Sequence, residues 1–481
     1  MDLRSFLREL PVRFGTTQWS RCLFPTNAVP AIRDSSDYVL YVALALLPVD
    51  GLKIGFSMPY WHPISPVLFA LYVVLNRRFM ARVVRRFPFW FLMPATLIPI
   101  SLFGWLTVAF HPREAAVSFT AIALGLCCLA ALDIALRLKQ LPVRGLITVL
   151  VFAYWCSFLV GVIEFISIKT HLEALHGVFI AIMQRNYVAV RVQFLFAEPS
   201  YIGMHLYGVL LPAYWLTRDR RLAILIPCFT VGSIAMGAGS RIIVDTVVAG
   251  LASSAILISW KRLNTASIIR RIVSAIALTM VLLSVALMNP RLQAIWEYGP
   301  WNGDGSASAR LFRSLSPILA GLHDPARLLL GFGAGNLSEA MQRGYPYAIE
   351  VIRSQSGSAN KEIRGLDHAS AGVFSMDAYV SILAEFGLIV LALLAVALVR
   401  RTLRHRGETL TVVVWLLTLV YLYAQFEAYA FYAFWLFVWY TGITVRTAPT
   451  TINDHDSSLD AIAHMGPPRS ATHLRQKART S

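Results

Sequence analysis

Charge is scarce in this chain: of 481 residues, 14% are Asp, Glu, Lys or Arg and 57% are hydrophobic, a balance outside that of soluble globular domains. Alternation is absent as well. The apolar stretches are continuous, which excludes a transmembrane barrel, whose strands would alternate apolar and polar residues. Cysteine is sparse, at five positions (Cys22, Cys127, Cys128, Cys156 and Cys228), in the basic N-terminal segment or within apolar runs, so no exported disulfide framework is implied. Residues 1–37 lack an early apolar stretch, and no cleaved signal peptide is expected. No internal repeat is visible. No spacing of His, Cys, Asp and Glu argues for a metal, and no cofactor is expected. The glycine-rich "GFGAGN" at 331–336 does not fit GxGxxG and follows no βαβ context, so it reads as tight turns rather than a nucleotide site.

What the sequence has in abundance is apolar runs of bilayer-crossing length, roughly 20 residues each, and among continuous structures only helices can span in this way. The expected fold is an all-α polytopic membrane helix bundle. About twelve spans are read, at 38–52, 60–76, 88–110, 115–136, 145–168, 200–217, 221–239, 241–260, 272–289, 376–399, 410–424 and 427–445. The first is the weakest, since Pro48 and Asp50 shorten it. The organisation is then an N-terminal segment 1–37, spans 1–9 within 38–289 with a long loop at 169–199, a large loop at 290–375, spans 10–12 within 376–445, and a polar tail 446–481 that reads as disordered.

The formal charge of +17 is not gathered on a nucleic-acid-binding face with interleaved aromatics. It sits between the spans. "NRRFMARVVRR" (76–86), "RLKQLPVR" (137–144), "RDRR" (218–221), "WKRLNTASIIRR" (260–271) and "RRTLRHR" (400–406) all fall on one side under the twelve-span count. Because short cytoplasmic loops collect Lys and Arg, both termini are expected in the cytoplasm and the two long loops outside. The aromatic run 421–440 reads as interface belt and bundle packing, with sugar stacking by a few rings left open.

Candidate chemistry gathers at the exterior span ends. In "FAEPSY", Pro199 fits a first helical position, which puts Glu198 at or near an N-cap at the mouth of the bundle. Two readings stay open: a cap and surface anchor, or an ionised carboxylate of a site. Arg185, Arg191, Arg241, Arg310 and Arg313 would suit a phosphate-bearing substrate if they converge, since guanidinium binds phosphate oxygens bidentately. A snorkelling role is the competing reading for each. Asp245, four residues after Arg241, can pair with it. Asp377 and Glu385, eight apart, would lie on nearly one face of the tenth span, with Ser375 as its cap. Glu385, two turns in, should face the bundle interior or a watery cavity. His368 is a candidate base with Asp367 or Asp377 nearby, and a solvated loop histidine is the alternative.

"FAEPSYIG" entering one span, "GSASARL…LLLGFGAGN" in one large loop, and "DAYVSILAEFGLIVLALL" entering the next span resemble the O-antigen polymerase and ligase superfamily. Within it, the "EPSY" element is most similar to the Wzy-type polymerases of exopolysaccharide clusters. Family members often carry a His-Asn pair before an LxxLxExG element. Here Met376 and Asp377 occupy that place and His368 lies some residues earlier.

The resemblance implies a multi-pass protein of the bacterial inner membrane that transfers a growing glycan from a polyprenyl diphosphate to a hydroxyl of the next repeat unit, at the periplasmic face. Arg191, Arg241 and Arg310 would hold the diphosphate and Glu198 or His368 would act as base. Lipid-linked oligosaccharide, membrane lipid, a chain-length regulator and a flippase are the implied partners, and nucleic acid is not among them. An O-antigen ligase uses the same chemistry, and a twelve-span transporter is the rival from another class. The missing repeat, and the gathering of charge at span ends, favour an enzyme over a transporter.

Overall fold

A computed structural model describes residues 33–52, 62–183, 191–257, 289–355, 357–405 and 409–443, with isolated helical positions between 269 and 287. Every named secondary-structure element among them is helical, and the isolated bridge between Leu52 and Met183 is the β contact seen there. The helices are α1 (Ser36–Ala45), α2 (Ile64–Leu75), α3 (Met80–Arg86), α4 (Pro88–Thr107), α5 (Pro112–Leu132), α6 (Val143–Lys169), α7 (Glu173–Ile182), α8 (Ile202–His205), α9 (Leu211–Thr217), α10 (Arg220–Ala235), α11 (Arg241–Leu257), α12 (Pro290–Asn302), α13 (Gly305–His323), α14 (Pro325–Leu330), α15 (Leu337–Ser354), α16 (Lys361–Arg364), α17 (Ala378–Arg404), α18 (Thr409–Tyr423) and α19 (Tyr432–Gly442).

Among the described residues, four helices are long and apolar enough to cross a membrane: Pro88–Thr107, Pro112–Leu138, Val143–Lys169 and Ala378–Arg404. They coincide with the expected spans at 88–110, 115–136, 145–168 and 376–399. α1, α2, α7 and α18 are shorter apolar helices. The run expected as a single span over 200–217 is helical throughout, as a 3-10 turn (Pro199–Tyr201), α8, a π segment (Leu206–Leu210) and α9 in unbroken succession. The expected span at 272–289 and the tail after 446 fall largely outside the described residues. Outward faces stay apolar, with Leu92 and Leu106 on α4, Phe152 and Leu159 on α6 and Val396 and Leu403 on α17 exposed. That pattern matches a lipid environment, because a water-facing surface of this size would be an aggregation surface. The protein is a helical membrane protein.

One end of the bundle is pinned by polar contacts between loops expected on a common side. Buried Lys139 donates from Nζ to Asp37 Oδ1 and to Ser36 Oγ, each at 2.8 Å, and Asn76 Nδ2 donates to Ser36 Oγ at 2.8 Å. Arg86 donates to the Gly442 carbonyl, Arg401 lies 5.1 Å from the Phe87 ring, and Arg221 reaches Thr148 at 2.8 Å. The basic loops around 76–86, 137–144, 218–221 and 400–406 therefore share one end with residues 34–37.

Residues 290–375, expected as a large loop, carry α12 to α16 among the described residues. Asp304 caps α13 by accepting from Ala307 N at 2.7 Å, and Asn289 caps α12 through Arg291 N at 3.1 Å. These helices enclose a core of their own around Trp301, Phe312, Met341, Ala348, Ile352 and Leu366. α14 then packs on α17, where the "GFGAGN" turns insert. Gly331, Gly333 and Gly335 all have positive φ, which only glycine adopts freely.

α17 is interrupted at Gly387 (φ 80°, ψ 174°). At this break the Ala384 and Glu385 carbonyls accept the N–H groups of Phe332 and Gly333 at 2.7 and 2.9 Å. The Glu385 carboxylate accepts Gly335 N at 2.9 Å and Ser118 Oγ at 2.8 Å. The expectation that Ser375 caps this helix is corrected: Asp377 does, accepting Tyr379 N at 2.8 Å and Val380 N at 3.3 Å. Ser375 Oγ is instead engaged with the Asp377 backbone N–H and carbonyl, with Ser381 Oγ and with Glu427 Oε2. A Cβ at Gly387 would collide with the Leu329 carbonyl, in a backbone region open essentially to glycine alone. Gly387→Ala should cost about 1–3 kcal/mol, read as a lower thermal unfolding midpoint in detergent. An unchanged midpoint would show that the break is not held by the 331–335 turns.

Candidate active site

The segment 191–198 leads into the site and is non-helical although it lies in the bundle. Val192, Gln193, Phe194, Phe196 and Ala197 are buried, so their backbone polar groups must find partners inside the protein. Three buried side chains supply them. Glu164 Oε2, projecting from α6, accepts Gln193 N and Phe194 N, both at 2.9 Å. Asp50 Oδ1 accepts Ala197 N at 2.8 Å. Gln193 turns back on its own segment, donating from Nε2 to the Phe196 and Ala197 carbonyls.

Asp50 is itself held. Its Oδ2 lies 3.0 Å from His205 Nε2, while His205 Nδ1 meets the hydroxyls of Tyr154 at 2.8 Å and Tyr432 at 3.1 Å. Tyr432 donates to the Leu47 carbonyl at 2.8 Å. With Tyr154 donating to Nδ1, the imidazole carries its proton on Nε2 and donates it to Asp50. The chain therefore reaches Glu198 along a path fixed from both sides.

Glu198 precedes the Pro199–Tyr201 turn, at the position expected of an N-cap, yet its side chain makes no capping hydrogen bond. The cap reading is thereby set aside. Its Oε1 accepts Ser200 Oγ at 2.7 Å and Arg310 Nη2 at 3.2 Å, and Arg310 Nη2 also lies 3.2 Å from Ser200 Oγ. Its Oε2 is buried with no hydrogen-bond partner among the described residues. Arg310 comes from α13, so the helices of 290–376 contribute directly. Burial lowers the Arg310 guanidinium below its ordinary value; Glu198 opposes that shift, and the neighbouring cations Arg241 and Arg291 add to it. Arg291 is neutralised by Asp304 through two hydrogen bonds.

Arg241 opens α11 as expected and pairs loosely with Asp245, Nε to Oδ2 at 3.8 Å. Its side chain is 10% exposed, and Nε, Nη1 and Nη2 are all buried without a hydrogen-bond partner among the described residues. Asp245 Oδ1 accepts the Tyr421 hydroxyl from α18 at 2.7 Å, while Oδ2 has no hydrogen bond. Gly203 makes room for this carboxylate, because a Cβ there would meet it. A buried guanidinium left without hydrogen bonds loses on the order of 1–3 kcal/mol or more. An anion offering several acceptor oxygens would recover that loss, and the free oxygen of Glu198 would accept a proton beside it.

The structure thus gathers Glu198, Arg310 and Arg241 in one electrostatic group. It does not gather the others. Arg191 is exposed, and Arg185 lies outside the described residues. His368 is exposed at the end of a 3-10 turn and makes no hydrogen bond or ion pair with Glu198, Arg241 or Arg310. Asp377 and Glu385 serve α17 and its break, as described above. The sequence reading passed over Ser200, Tyr421, Glu164 and His205, and noted Asp50 only as a shortener of a span. The signal was present for Glu164: a carboxylate far inside an apolar run needs a buried partner.

Comparison with protein-family models, with curated proteins and with solved structures finds no match. Glu164→Ala should orphan two buried amides, at about 1–3 kcal/mol each, and speed hydrogen exchange at Gln193 and Phe194 by at least about tenfold. Exchange as slow as in the wild type would mean that the segment is fixed by other contacts.

Proposed function

We propose that this chain is a membrane glycosyltransferase that joins polyprenyl diphosphate-linked oligosaccharide repeat units. The carrying observation is the buried Arg241 guanidinium, without hydrogen bonds, in one electrostatic group with Arg310 and Glu198. In this reaction the acceptor hydroxyl attacks the anomeric carbon of the donor glycan, the carbon–oxygen bond to the diphosphate breaks, and negative charge collects on the departing lipid diphosphate. Arg241 and Arg310 are placed to bind that charge. Glu198 Oε2 is the free acceptor for the hydroxyl proton. The diphosphate, a dianion in the donor, leaves as a resonance-stabilised trianion, so strong general-acid help is not required.

A lipid-linked donor needs apolar room beside its phosphate site. A cavity of about 240 Å³ between α4, α17, α18 and α19 is lined by Trp90, Leu97, Leu394, Val420, Tyr429 and Trp435. α18 borders both, with Val420 on the cavity and Tyr421 on Asp245. In the finer reading, the bundle has about twelve spans in a bacterial inner membrane. The end rich in basic loops faces the cytoplasm with both termini, and Glu198, Arg241 and the helices of 290–376 face the periplasm.

The test is complementation of a strain lacking this chain, with protein levels matched and both polymer length and lipid-linked repeats scored. Wild type should restore polymer. Glu198→Gln and Arg241→Ala should each lower polymer formation by about 100-fold or more and leave single repeats on the lipid. Polymer of normal length retained on the carrier would indicate ligase activity instead. Unchanged glycan in the deletion strain would sink both transferase readings.

A further inference from the structure

We infer that the helices of 290–376 hold a second site, for a carboxylate-bearing sugar of the glycan. This rests on the transferase reading above. A cleft of about 590 Å³ is lined by Arg313, Lys361, Glu362, Ser370 and Phe374 together with Gly365 and Gly372. It lies apart from the buried Glu198 group yet starts from the same helix. Arg313 follows Arg310 by three residues on α13, so the two are neighbours on the helix surface.

Arg313 is built into the cleft wall. Its side chain is 10% exposed, Nη1 donates to the Phe374 carbonyl and Nη2 to Glu362 Oε1, each at 3.1 Å, and the guanidinium sits 4.4 Å from the Phe374 ring centre. These contacts fix its plane and leave Nε buried without a hydrogen-bond partner. Lys361 is exposed beside it and makes no ion pair among the described residues. The one acidic residue in the lining, Glu362, is already engaged by Arg313. At Gly365 and Gly372 no atom lies within 4 Å of where a Cβ would stand, so the wall there is bare backbone that a sugar ring can approach.

The charge balance selects the ligand. Arg241 makes no hydrogen bond from its guanidinium among the described residues, which suits a multiply charged diphosphate. Arg313 is already paired with Glu362, so the cleft lining of Arg313, Lys361 and Glu362 keeps one uncompensated positive charge, which suits a single carboxylate. A glycan whose diphosphate lies at Arg241 and Arg310 would thus be read a short way along its length for an acidic residue. This would select the repeat unit after the lipid phosphate has been recognised.

The experiment uses the full chain in lipid nanodiscs, titrated by calorimetry with a hyaluronan tetrasaccharide, with neutral chitotetraose and with inorganic phosphate. Wild type should bind the uronate-bearing sugar at least about tenfold more tightly than the neutral one, and weaken with salt. Lys361→Glu, an exposed change, should remove that preference, while Arg241→Ala should leave it intact. Equal binding of the two sugars, or a preference that survives Lys361→Glu, would overturn the inference. So would loss of uronate binding in Arg241→Ala alone, which would place the anion at the diphosphate group, as would full competition by phosphate. Binding is measured without turnover, so uronate binding that depends on Lys361, in a chain whose deletion leaves cellular glycan unchanged, would reject the transferase reading and keep the site.

Discussion

Eight residues of non-helical chain, 191–198, run through buried surroundings, and their backbone polar groups have no water to turn to. Much of the rest follows from that constraint. A helix satisfies its own amides, but an irregular segment must borrow acceptors from neighbours. Here the acceptors are carboxylates, Glu164 and Asp50, each accepting backbone N–H groups. A buried carboxylate is costly unless it is itself hydrogen-bonded. For Asp50 this draws in His205, and through it Tyr154 and Tyr432. The polar network spreads from one loop into α6, α8 and α19, and Glu198 is delivered at its end.

The same solution is used again around Gly387. A break in α17 exposes carbonyls, the 331–335 turns bring N–H groups to them, and Glu385 closes the arrangement by accepting Gly335 N. Both insertions pair irregular backbone with a buried acid. They differ in what remains unsatisfied. Around Glu385 the carboxylate has Ser118, Gly335 and Tyr429 as donors, and its role is fixed by structure. Around Glu198 one carboxylate oxygen and the whole Arg241 guanidinium lack hydrogen bonds among the described residues, and the proposed function rests on that asymmetry.

The helical class was legible because apolar runs announce themselves by length alone, and the basic loops announced a common end because Lys and Arg are expelled from lipid. The 290–376 region was legible only as polar. Its longest helices run 19 and 18 residues but are not continuous apolar runs, and their fold rests on a small core around Phe312 and Met341 whose members are scattered among glycines and serines. Glu198 and Arg241 stood out as charges at span ends. Arg310 could be named, but its pairing with Glu198 spans 112 positions, and no local pattern encodes such a contact. His368 attracted attention as a titratable residue in a loop, and the fold leaves it exposed. Asp377 and Ser375 exchanged capping roles because two polar residues close together compete for one helix end, and only geometry decides between them.

The charge balance of the group gives the transferase reading its internal logic. Arg310 is shared between Glu198 and Ser200, while Arg241 is held at a distance by Asp245. Two cations and two carboxylates leave the resting site near neutrality, which makes its burial tolerable. A diphosphate entering among them competes with Glu198 for Arg310 and brings excess negative charge into a poorly screened space. A Glu198 that gave up Arg310 to the diphosphate would be a stronger acceptor for the hydroxyl proton. Under this reading, binding the donor is what makes Glu198 a useful base, so activation of the acceptor waits until the lipid diphosphate is in place, and a site without donor has little means of ionising a stray hydroxyl.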